Sequence, residues 1–160
     1  VSHAPVRPDD AWGLPFWDRN QCRGRIAKLR SEGVFTPPDF EGSILKPAYT
    51  GGPNWGGVAF DPARQYVIAT VMDLPAVVSL ATREQLAVQS RSGEFDDSEF
   101  AQMLGTPYGM RREILMSPLG IPCTAPPWGR LVALDLERRR IAWSVPLGTS
   151  RRSRYSSRNR

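Results

Sequence analysis

The chain is short of the groups that carry acid–base and metal chemistry. Among 160 residues there is one histidine, His3, and there are two cysteines, Cys22 and Cys123. A lone histidine beside a chain end cannot supply a Ser/His/Asp or Cys/His relay. No CxxC pair and no neighbouring histidine accompany the cysteines, which excludes a zinc set. The two are either free buried thiols or one disulfide. No run approaches the roughly 18 apolar residues of a membrane-spanning helix, and no signal peptide opens the chain. If the protein is exported or anchored, its targeting segment is missing from this sequence.

Long helices are scarce for a similar reason. Fifteen prolines and fourteen glycines punctuate the chain, a composition suited to short strands joined by turns and structured loops. With 41% hydrophobic and 23% charged residues, the chain reads as one globular domain of all-β or loop-rich architecture.

Net basic charge is absent from the body and concentrated at the end. Net charge is +5, but Arg151, Arg152, Arg154, Arg158 and Arg160 all fall in the last ten residues. The rest is neutral, so nucleic acid is not an expected partner; residues 150–160 read as a solvated, disordered tail.

What is present is a series of turns and strands. Residues 1–17 form a proline-spaced strap with aromatic anchors Trp12, Phe16 and Trp17. Asp18 caps a helix running to about Glu32, with Cys22, Ile26 and Leu29 on one face and Arg19, Arg23, Lys28 and Arg30 on a solvated one. A short strand at 43–45 leads into Tyr49–Asp73, the densest stretch of the chain. Gly51-Gly52 and Gly56-Gly57 flank Asn54 and Trp55, placing an amide and an indole at the tip of a tight loop. Read locally, that is a turn with a packed Trp, or a site for a flat polar ligand.

Val58-Ala59-Phe60 and 66–71, joined by an Asp-Pro turn, predict a hairpin. A second hairpin of the same plan is predicted from 131–136 and 141–145. Between the two, 74–80 reads as a strand and 98–104 as a short helix begun by Glu94, Asp96, Asp97 and Glu99. The remainder reads as loop. The acidic cluster lacks the spacing of a calcium loop.

Ala133, Asp135 and Trp143 fit the A-x-D-x-x-x-G-x-x-x-W blade repeat of quinoprotein dehydrogenases, with Arg139 in place of the usual Gly. That replacement predicts a looser or differently shaped turn. Alongside it stand W-D-R-N-Q-C-R, E-G-V-F-T-P-P, G-G-P-N-W-G-G-V-A-F-D-P, G-T-P-Y-G, S-P-L-G-I-P-C and P-P-W-G-R-L-V-A-L-D-L. In this order they resemble the membrane-bound pyrroloquinoline quinone (PQQ) dehydrogenases of the glucose, quinate and glycerol type. The resemblance runs from about residue 10 to Thr149.

The resemblance implies part of the C-terminal half of an eight-bladed β-propeller, about two blades' worth of strands with a short helix and long loops, spanning 1–149. It implies PQQ with a divalent cation, Ca or Mg, and oxidation of sugar, polyol or cyclic hydroxy-acid alcohol groups. Electrons would pass to ubiquinone in a periplasmic, inner-membrane-associated protein held by an N-terminal anchor outside this sequence. Asn54 becomes a PQQ hydrogen-bonding residue and Trp55 its neighbour. The catalytic aspartate and metal ligands are expected upstream, leaving no catalytic or metal residue here and an inactive isolated chain. A periplasmic setting implies that Cys22 and Cys123 are bridged. The alternative is a non-catalytic, propeller-derived binding module.

Overall fold

A computed structural model describes residues 4–53, 56–92 and 98–148. Eight strands and two α-helices make up these residues: β1 (Ser43–Leu45), β2 (Val58–Asp61), β3 (Tyr66–Met72), β4 (Ala76–Thr82), β5 (Glu99–Gln102), β6 (Tyr108–Ile114), β7 (Gly129–Asp135) and β8 (Arg140–Pro146), with α1 (Phe16–Ile26) and α2 (Arg83–Gln89). They form two four-stranded antiparallel sheets, ordered β1-β4-β6-β5 and β2-β3-β7-β8. The mostly-β expectation holds.

The two predicted hairpins lie side by side in one sheet. β3 pairs with β7 along its whole length, from Tyr66 opposite Asp135 to Met72 opposite Gly129. The result is one four-stranded meander, the size of a propeller blade, interrupted between β3 and β7. The interrupting residues fold back as β4, β5 and β6 and, with β1, build the other sheet.

Both hairpins turn by the same device. Asp61 accepts the N–H groups of Ala63 and Arg64 and the Arg64 guanidinium, the last at 3.0 Å. Asp135 accepts Arg138 N–H at 2.8 Å and the Arg138 guanidinium at 2.9 Å. The residue after each arginine has positive φ, +54° at Gln65 and +52° at Arg139. Arg139 therefore keeps the turn's shape instead of loosening it, because the Asp–Arg pair fixes the backbone around it. The Arg138 N–H, then its guanidinium, hold the Asp135 carboxyl below its usual range.

This sheet is apolar on both sides. Cross-strand partners share a face, so Val58, Phe60, Leu134 and Ile141 lie on one and Trp143, Val145 and Leu131 on the other. Phe60 is 52% exposed, Ile141 56% and Val145 46%. Such a sheet has the character of a middle layer.

The core lies elsewhere, where α1 and the N-terminal strap meet the first sheet. Cys22, Ile26, Ile44, Val77, Leu115 and Cys123 are buried together with Val6 and Ala11, and Cys22 and Cys123 form a disulfide. Helix α1 is shorter than predicted and starts at Phe16 with Pro15 in the N-cap position, not at a capping Asp18. Asp18 is instead fully buried, accepting Leu119 N–H at 3.4 Å. Of the predicted aromatic anchors only Trp12 serves, edge-on to Trp128 at 5.7 Å, while Phe16 and Trp17 are exposed.

The predicted helix at 98–104 is strand β5. Glu99 sits opposite Arg112, to which it is salt-bridged at 2.7 Å, and Phe100 opposite Arg111. Pairing along an available edge outweighs the local helical pattern. The real helix, α2, follows a capping box between Thr82 and Gln85.

Replacing Arg139 by Gly should stabilise the protein by about 0.5–1 kcal/mol, since glycine removes the steric penalty of positive φ at some entropic cost. Thermal unfolding of R139G against the parent checks this; a lowered midpoint would mean that the arginine side chain holds the turn.

Candidate functional site

The glycine-rich loop joins the two sheets, and both hold it. Lys46 at the end of β1 is salt-bridged at 3.3 Å to Asp73, which follows β3. Gly51 N–H donates to Ala48 O at 2.8 Å, and Met72 N–H donates to Gly52 O at 2.9 Å, fastening the loop to the end of β3. Asp73 N–H in turn donates to Trp128 O at 2.8 Å, tying the same end to the start of β7.

A third tie comes from the first sheet. The Arg112 guanidinium lies over the Tyr49 ring, 4.6 Å from its centroid, while bonded to Glu99. Burial pushes the Tyr49 phenol up, the charge of Glu99 adds to this and Arg112 opposes it. Gly51 at φ +84° and Gly57 at +63° supply the backbone freedom expected of them. Asn54 and Trp55, the predicted cofactor residues, lie outside the described residues.

Next to this junction opens a cavity of about 620 Å³, whose wall includes Trp12, Arg19, Lys46, Thr124, Asp9 and Asp10. Arg19 Nε donates to Ala11 O at 2.9 Å, and the residue remains exposed, in keeping with the solvated face expected of α1. Asp9 is paired with Arg23 at 2.9 Å, and Asp10 accepts Arg7 N–H at 2.8 Å. Thr124 is 2% exposed and its hydroxyl has no hydrogen-bond partner among the described residues; a buried oxygen of Asp73 also lacks one there. Sequence reasoning passed over this cavity because its residues are scattered from the strap to the segment before β7. The available signal was the pairing of Cys22 with Cys123, which draws Trp12 and Thr124 together: Trp12 N–H donates to Cys123 O at 2.9 Å.

The wall carries two cations, Arg19 and Lys46, and one aromatic ring, Trp12, with the carboxylates of Asp9 and Asp10 alongside them. They do not form a metal centre: among the described residues no cluster of three or more His, Cys, Asp or Glu could hold an ion.

Residues 1–159 match the family model for the PQQ-type glucose/ethanol/alcohol dehydrogenase β-propeller domain. The chain belongs to this family. It is 36% identical to the quinate/shikimate dehydrogenase (quinone) of Acinetobacter baylyi over 93% of its own length and 19% of that protein's. It is 36% identical to the quinoprotein glucose dehydrogenase of Escherichia coli over 88% of the chain and 18% of the relative. It is 31% identical to the glycerol dehydrogenase large subunit of Gluconobacter oxydans over 91% and 21%. The chain thus spans about a fifth of the length of the curated relatives it matches. No solved structure matches it.

Gly51→Ala should destabilise the protein by about 1–2 kcal/mol, because alanine is strained at positive φ. Gly52→Ala should be nearly neutral, since an added Cβ meets Val71 at an ordinary 3.7 Å. Denaturant midpoints of the two variants check this; equal losses would contradict the assigned loop geometry.

Proposed function

We propose that the chain is part of a PQQ-dependent dehydrogenase that oxidises a sugar, polyol or cyclic hydroxy-acid alcohol, with the loop 49–57 forming part of the cofactor's surroundings. The family match across 1–159 carries this reading. The named relatives act on glucose, quinate/shikimate or glycerol, which supports an alcohol group as substrate. PQQ supplies the two-electron acceptor chemistry when bound. This chain's part is to bind and orient: Asn54 offers its amide to the cofactor's polar edge, Trp55 lines the wall, and the ties at Tyr49, Gly51 and Gly52 hold the loop that carries them.

The proton-abstracting carboxylate and the ligands of the divalent cation belong, on this reading, to residues outside the chain. Ubiquinone as electron acceptor, a periplasmic setting and association with the inner membrane complete the proposal; the disulfide supports an oxidising compartment. No described helix is long and apolar enough to cross a membrane. The two apolar faces of the β2-β3-β7-β8 sheet support a blade packed between two others. Residues 150–160 are proposed to lie outside the propeller.

Asn54→Ala should weaken PQQ binding by about tenfold, the loss of one or two hydrogen bonds at a polar edge, with an unchanged circular dichroism spectrum. The purified chain should give no PQQ-dependent dye reduction with glucose, quinate or glycerol. Unaltered affinity in the variant removes Asn54 from the site, and turnover by the chain overturns the placement of the catalytic carboxylate elsewhere.

A further inference from the structure

We propose that Lys46 and Asp73 are a positioning pair: their ion pair sets the place of the glycine-rich loop between the two sheets, and the loop binds its ligand well only while the pair is made. The role rests on the reading of loop 49–57 as part of the cofactor's surroundings, and neither residue touches a ligand in it. Lys46 directly follows β1, which leads into the loop, and Asp73 directly follows β3, to whose end the loop is fastened; the two side chains meet at 3.3 Å. Among the described residues no other ion pair connects the β1-β4-β6-β5 sheet with the β2-β3-β7-β8 sheet.

The pair is sheltered, and unequally so: the Lys46 side chain is 20% exposed and that of Asp73 33%. One Asp73 oxygen meets Lys46, while the other is shut away from solvent and has no hydrogen-bond partner among the described residues. Lys46 is thus the counter-charge that keeps this carboxylate in place. Without it the carboxylate does better to turn out to water, because an uncompensated charge is costly where solvent cannot reach it. Removing Asp73 does less harm, since the lysine stem can carry its ammonium outward.

A move of Asp73 reaches the loop through the backbone. Asp73 N–H donates to Trp128 O at 2.8 Å, and the N–H of Met72, the residue before it, donates to Gly52 O at 2.9 Å. Packing meets at the same point: a Cβ on Gly52 would lie 3.7 Å from Val71 and 3.9 Å from Pro47, the residue after Lys46. The segments that carry Lys46 and Asp73 therefore converge on Gly52. Arg112 over Tyr49 cannot replace the pair, because both its ring partner and its carboxylate partner, Glu99, lie on the side of the β1-β4-β6-β5 sheet, so it does not hold the loop against β3.

The test compares Lys46→Met, Asp73→Leu and the double variant K46M/D73L in the purified chain. Hydrogen exchange at the Gly51 and Met72 amides reports the loop, tryptophan fluorescence reports PQQ affinity, and thermal midpoints report the fold. K46M should speed exchange at both amides and weaken PQQ binding, each by about tenfold, and D73L should do less. K46M/D73L leaves no charge uncompensated and should return both readouts to within about twofold of the parent. A double variant with parental exchange that still binds PQQ as poorly as K46M shows Lys46 meeting the ligand itself, which overturns the positioning role. Unchanged exchange in K46M, or exchange raised equally throughout the chain with a lowered thermal midpoint, overturns it as well. A parent chain that binds no PQQ while K46M and the double variant show the expected exchange overturns the cofactor reading and not the pair's hold on the loop.

Discussion

The bond between Cys22 and Cys123 is the constraint on which the rest of the structure depends. It joins residues 101 apart in sequence, from α1 to the segment that follows β6, and both cysteines are fully buried in the core. Around it gather Val6 and Ala11 of the strap, Ile44 of β1, Val77 of β4 and Leu115 after β6. Two of these segments bury little of their own: β1 has three residues, and α1 buries only Asp18, Cys22 and Ile26. The bridge also sets the cavity, because Trp12 bonds to the backbone of Cys123 and Thr124 is its neighbour.

The second sheet follows a different logic. Its stability rests on hydrogen-bonded ladders and two identical Asp–Arg turns, and it buries little within the described residues beyond Ala133 and Asp135. A sheet apolar on both faces and open at both edges calls for neighbours. Family membership accounts for that, since propeller blades are covered on each face by the next blade. The glycine-rich loop stands between a self-contained, disulfide-centred unit and this blade, held by Lys46–Asp73 on one side and Arg112–Tyr49 on the other.

How far the sequence disclosed this varies with the kind of signal. Both hairpins were legible because β-branched runs flank Asp-initiated turns, and the blade motif at Ala133, Asp135 and Trp143 marked β7 and β8. That the hairpins share one sheet was not legible, since nothing local in β3 names β7 as its partner across the intervening segment. β6 was missed because Arg111, Arg112 and Glu113 interrupt any apolar alternation; Arg112 and Glu113 are instead paired with Glu99 and Arg25. β5 was read as a helix because its polar start and apolar spacing satisfy a helical pattern that only the edge of β6 overrules. Of the site, the loop was visible in its glycines, whereas the cavity depends on a disulfide closing over a long separation and had no local signature.

The central claim is that the disulfide organises both the core and the cavity wall. It is tested most directly by chemical unfolding of the oxidised chain against Cys22→Ala/Cys123→Ala, with near-ultraviolet circular dichroism reporting the Trp12–Trp128 pair. For a closed loop of this size the chain-entropy account gives a loss of about 4–5 kcal/mol, together with a collapse of the tryptophan signal under conditions where far-ultraviolet strand content persists. A variant with the parent's unfolding midpoint and an intact tryptophan signal would contradict the account.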